Sequence, residues 1–204
     1  MKIRPSLAIV ICLFMAQFMF SQEEKDDKEI VKDAFVAYDG YVAKKDFENA
    51  ANAIVPSFFE SMPKDQYLKM MGEIYENPGM NITIHPAEDI VIGDIQEVGE
   101  MYYATITYSC MKDIEYHAKK GDSPEKSRTK LSTVKIFFKD TYGAENVMFN
   151  EEASQFEIKT SNEAYAVSSN KINWKFLAVD LDGMERIYGK ILPEEYYTVP
   201  IVEE

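Results

Sequence analysis

"GEMYYATITYSCMKDIEY", residues 99–116, decides the fold. Its β-branched and aromatic residues, set in partly alternating runs, predict one long strand from Met101 to Tyr116. Just upstream, "EVGE" (residues 97–100) is a tight turn between Ile95 and Met101. The whole segment 80–116 therefore reads as two or three antiparallel strands.

N-terminal to this segment the apolar period is helical. Ile30, Val31, Ala34, Phe35, Tyr38, Tyr41 and Val42 recur at steps of three and four, which makes one face of a long amphipathic helix over residues 23–45. Asp46 is placed to cap a second helix, residues 47–55, which Pro56 ends. A third begins near Pro63 and Lys64, runs through Leu68, Met71 and Tyr75, and stops at "NPG".

C-terminal to the long strand, "HAKKGDSPEKSRTK" (residues 117–130) is polar, contains Gly, Pro and Ser, and reads as a mobile loop open to proteolysis. The apolar positions of "LSTVKIFFKDTYGAENVMFN" suit a helix or a strand. A helix from about Ser127, stopped by Gly143, is favoured. Three strand candidates follow: a hairpin around "NEEAS" from Phe149 to Phe156, then Tyr165 to Val167 and residues 172–179 joined by "SSNK". On the last strand Trp174, Phe176 and Ala178 share one face, and Lys175, Leu177 and Val179 the other. Trp174, the only tryptophan, reads as a core or wall residue before it reads as a ligand contact. The tail from Leu181 carries no pairing signal.

The first residues, "MKIRPSLAIVICLFMAQFMFSQ", place Lys2 and Arg4 before an apolar stretch that ends at Phe20 and a small Ser21. This is the pattern of a secretory signal peptide, residues 1–21, too short in its apolar part for a comfortable membrane span. Ile11 precedes Cys12, which argues against a lipoprotein. Removing the segment takes the net charge from −13 to about −15. So acidic a chain avoids phosphate backbones and anionic membranes, and no basic patch with interleaved aromatics points to nucleic acid. Only Cys110 then remains, so no intramolecular disulfide forms; in its apolar run it reads as a small core residue. The expected product is one exported domain, residues 22–204, periplasmic or extracellular, with no membrane span after cleavage.

Three helices followed by antiparallel strands, carried by "DFENAANAIVPSFFESMPKDQYLKMM", "GEMYYATITYSCM", "YGAENVMFN" and "YAVSSNKINWKFLAVD", resemble the NTF2-like superfamily, the SnoaL and ketosteroid-isomerase type. The segments are similar to secreted NTF2-like proteins of Bacteroidetes-type bacteria and cover most of residues 26–180. The resemblance implies an α+β cone, in which a curved antiparallel sheet wraps the first helix and leaves a cavity. The polar loop 117–130 departs from the smallest family members at the mouth of that cavity.

Enzymes of this class place an Asp, His or Tyr in the cavity as general base or acid. Tyr38 and Asp39 are the catalytic candidates, although Asp39 reads first as a surface carboxylate. His85 in "IHPAED" and His117 at the loop both read as facing solvent, with Tyr103 and Tyr108 as further cavity candidates. The expected pocket comprises Phe35, Tyr38, Phe59, Met71, Tyr103, Tyr108, Trp174 and Phe176. Phe58, Phe59, Met62, Tyr67, Met70 and Met71 supply either an adaptable lining or plain core.

No metal or cofactor signature occurs. "DLDG" from Asp180 begins like a calcium loop but lacks the later ligands, and no G-x-S-x-G, H-E-x-x-H or glycine-rich phosphate loop is found. "NIT" at Asn81 is a glycosylation sequon in form only. These observations favour a non-enzymatic binding domain, with an apolar small molecule in the cavity or a protein partner on the sheet. The alternative is an isomerase, dehydratase or hydrolase using a buried Asp or Tyr. Homodimerisation through an apolar sheet face is a third expectation.

Overall fold

A strand of sixteen residues needs partners along its whole length, and this chain supplies them on both sides. The computed structural model describes residues 26–178, 185–193 and 196. They form an α+β structure of six α-helices and one seven-stranded antiparallel sheet. In chain order these are α1 (Asp27–Ala43), α2 (Phe47–Asn52), α3 (Phe58–Ser61), α4 (Lys64–Tyr75), β1 (Met80–Ile84), β2 (Glu88–Ile92), β3 (Gln96–Val98), β4 (Met101–Tyr116), α5 (Pro124–Tyr142), β5 (Val147–Asn150), β6 (Gln155–Ser168), β7 (Lys175–Ala178) and α6 (Glu185–Ile191).

The spine is the antiparallel pair β4 and β6, in unbroken register from Tyr102↔Ser168 to Glu115↔Gln155. Along the free side of β4 run β1, β2 and β3, opposite residues 112–116, 106–109 and 101–103 respectively. Along the free side of β6 run β5 and β7. Beyond β7, the chain after α2 adds a short bridge: Phe176 N–H donates to Ala53 O at 2.9 Å, and Val55 N–H donates to Phe176 O at 3.2 Å. The sequence divides β6 into separate strands at its polar middle, but the ladder with β4 carries it straight through Thr160 and Asn162. Pairing along the whole length overrides the local pattern.

Each helix starts and stops for visible reasons. The Asp26 carboxylate caps α1, and Asp46 caps α2 by accepting from Asn49 N–H at 3.3 Å and its Nδ2 at 2.7 Å. Lys45, at φ 58°, turns the chain between these two helices. In α4 the buried residues are Tyr67 and Met71, one helical turn apart.

The helix α5 begins at Pro124, so residues 124–130 are helical and only 117–123 remain irregular. Ser123 caps it by accepting from Lys126 N–H at 3.3 Å, Pro124 occupies the first turn where no donor is missed, and Gly143, at φ 89°, ends it. The helix α6 arises in the tail that the sequence left without assignment. The expected signal segment, the expected cleavage point and the "DLDG" stretch lie outside the described residues. Among the described residues, no helix is long and apolar enough to cross a membrane.

The buried apolar residues form two clusters. The larger centres on Val31, Phe35, Ile106 and Phe176, each nearly inaccessible, and joins α1, α3 and α4 to the sheet. The smaller joins Phe138 of α5 to Ile114, Val147, Phe156 and Ile158 at the other end of β4 and β6. A cavity opens where the two meet.

Candidate functional site

The cavity has a volume of about 240 Å³ and is walled largely by aromatic rings. From α1 come Tyr38, Asp39 and Val42; from the following helices, Phe58, Tyr67, Met71 and Tyr75. The sheet contributes Tyr108 and Lys112 from β4 and Phe176 to Ala178 from β7, while Tyr142 of α5 and Tyr188 of α6 complete the wall. Alternation explains the β4 pair: Tyr108 and Lys112 lie four residues apart and therefore on one face. On α1 the same logic at helical spacing aligns Phe35 with Tyr38 and Asp39.

Asp39 is the buried carboxyl of this wall, only 8% exposed, which corrects the surface reading of its sequence position. The cause is long range. Its Oδ2 accepts the N–H of Ala87 at 2.7 Å, from the segment between β1 and β2. Burial pushes the Asp39 carboxyl above the ordinary aspartate value, and the Ala87 bond partly opposes that shift. A carboxyl so placed can exchange a proton with, or hydrogen-bond to, a polar atom in the cavity.

Of the other residues expected at the pocket, Tyr38, Met71, Tyr108 and Phe176 line it with Asp39. Phe35 stands behind the wall, fully buried, its ring 5.0 Å from Tyr108, 5.5 Å from Phe176 and 6.0 Å from Tyr38. Phe59 packs at 5.3 Å on Phe58 and 6.0 Å on Tyr67, outside the lining. Tyr103, five positions from Tyr108, faces the opposite side of the sheet, where its ring meets Tyr196 at 5.5 Å; burial raises its hydroxyl pKa. Trp174 is buried just before β7, and its indole N–H donates to Lys171 O at 3.0 Å. It fixes the turn into β7 and stands outside the lining.

Neither histidine lines the cavity. His85 is partly exposed, with Nε2 at 2.9 Å from Asp113 Oδ2, and His117 is exposed near Glu115. Cys110 is buried, its Sγ 3.8 Å from the Met111 carbonyl oxygen and 4.0 Å from that of His85. Among the described residues, no group of three or more His, Cys, Asp or Glu is placed to hold a metal ion.

The sequence reading missed Lys112, Tyr75, Tyr142 and Tyr188 as wall residues. Lys112 was within reach: the two-residue period that carries Tyr108, Cys110 and Ile114 inward carries Lys112 with them. Tyr142 and Tyr188 enter only through the packing of α5 and α6, which no local pattern announces. No protein-family model, curated protein or solved structure matches this chain.

Proposed function

We propose that this chain is an exported NTF2-like domain that binds an apolar small molecule in the cavity between α1, α4 and the sheet. One observation carries the reading: a cavity of about 240 Å³, walled mainly by rings and containing the buried carboxyl of Asp39. Ligand sites are commonly concave, with apolar surface and polar groups that fix orientation, and this wall sets aliphatic side chains and rings beside six tyrosines, Asp39 and Lys112. The export pattern of residues 1–21 and the acidic surface support a soluble carrier or sensor outside the cytoplasm.

The test is thermal unfolding against a panel of apolar compounds, paired with native mass spectrometry of protein purified gently from its exported fraction. A ligand at about 100 times its Kd stabilises by about 2.7 kcal/mol. For a domain of this size that corresponds to roughly 5–10 °C in Tm. A flat panel together with a bare native mass would overturn the proposal.

The burial of Asp39 favours a second reading, in which the same cavity is an active site and Asp39 moves a proton in an isomerisation, dehydration or hydrolysis. The distinguishing variant is Asp39→Asn. Retained ligand binding with lost turnover supports the enzyme, whereas a cavity that binds without any turnover supports the carrier.

A further inference from the structure

We propose that the cavity selects a monocarboxylate, an apolar body with one anionic head, and that Lys112 is the residue that reads the head. The inference rests on the cavity-binding reading above and names its ligand class.

Lys112 stands on the inward face of β4, where its neighbours along the strand, Cys110 and Ile114, are buried. Its register partners on either side are Ile84 of β1 and Ile158 of β6, 5% and 0% exposed. A lysine stem therefore lies among isoleucines at the seam of the two apolar clusters, and its side chain lines the cavity. The ammonium stands 6.0 Å from the centre of the Tyr142 ring, and among the described residues no carboxylate pairs with it.

That isolation is informative in a chain with 35 acidic and 22 basic residues. Elsewhere the lysines find partners readily: Lys28, Lys135 and Lys171 each hold a carboxylate within 3.0 Å. Lys112 is half-buried, and an ammonium at the wall of a cavity is favoured by an opposite charge beside it that makes up for the solvent it has lost. The flexible stem lets the head reach whatever fills the cavity, and an anion there completes the environment.

The chemistry of the wall narrows the anion. One ammonium matches one negative charge, so a monoanion fits it better than a phosphate carrying two. Asp39, when ionised, repels a carboxylate and so confines the head to the Lys112 side. The remaining wall combines six tyrosines with aliphatic side chains and two phenylalanines, and those apolar groups give a hydrocarbon body surface to pack on. Since a cavity of about 150 Å³ accepts benzene, 240 Å³ suits a chain of about eight carbons.

Isothermal titration of the purified protein with octanoate and with 1-octanol at neutral pH tests this directly. Octanoate should bind about tenfold more tightly than the alcohol. Lys112→Met should bring the two within about twofold while leaving 1-octanol binding in place, and Lys112→Arg should keep the preference for the acid. Equal or tighter binding of 1-octanol to the wild type overturns the head-group assignment and leaves the cavity reading intact. A preference for octanoate that survives in Lys112→Met also overturns it. If neither probe binds, both readings fall together.

Discussion

Replacing Asp39 separates the two things its carboxyl does, accepting a hydrogen bond and carrying a charge. The Ala87 N–H that donates to Oδ2 at 2.7 Å has an equivalent acceptor in Asp39→Asn and none in Asp39→Ala. Leaving this partly buried donor without its acceptor costs about 0.5–1.5 kcal/mol, so the alanine variant should be less stable than the asparagine variant by that amount. Neither side chain titrates, so the gap between them should hold at every pH.

The wild type moves against both. Because burial raises the Asp39 pKa in the folded chain, the folded state holds its proton to higher pH than the unfolded state. The resulting stabilisation is fully present below the unfolded aspartate value, 3.8, and is lost as pH rises through the raised folded value. At acid pH the wild type should therefore match Asp39→Asn, and at neutral pH it should be the less stable of the two. Urea unfolding of the three proteins at several pH values reads all of this. Two results would refute the reasoning: equal stability of the asparagine and alanine variants, or a wild type that gains on Asp39→Asn as pH rises.

Removing a ring should cost according to where it stands. Phe35→Ala, behind the cavity wall and fully buried, should lose about 3–5 kcal/mol in denaturant unfolding. Phe137→Ala, 60% exposed on α5, should stay within about 0.5 kcal/mol. At the start of α5, hydrogen bonds from Lys130 and Lys126 hold the Asp122 carboxyl below its ordinary pKa. That contribution is present above the unfolded value, 3.8, and lost as pH falls through the lowered one. Amide exchange over residues 124–130, corrected for intrinsic rates, should accelerate selectively in acid, and Asp122→Asn should remove the pH dependence.

The elements legible in sequence are those whose signal is local. Residues 101–116 declare a strand by composition, residues 64–75 a helix by period and by the flanking prolines, and "NEEAS" a turn. The start of α5 was legible in part, since Ser123 followed by Pro124 is a cap and first-turn pair; the surrounding polar residues masked it as loop. Much of the cavity was not legible. Asp39 is buried because a backbone N–H 48 residues away meets it, and Trp174 stays out of the lining because the turn before β7 holds its indole. Both outcomes depend on which segments pack together, and period alone gives only the face on which a side chain starts.

The way the β4–β6 spine is flanked also limits how this chain can meet another. Three strands of three to five residues share one side of it, and two of four residues share the other. The register slips between Glu88 and Val91, where Asp89 takes φ 52°, and residues 53–55 already bond to β7. A neighbouring chain seeking to extend the sheet thus meets only short, interrupted rows of backbone donors and acceptors, which disfavours edge-to-edge aggregation and strand-addition recognition.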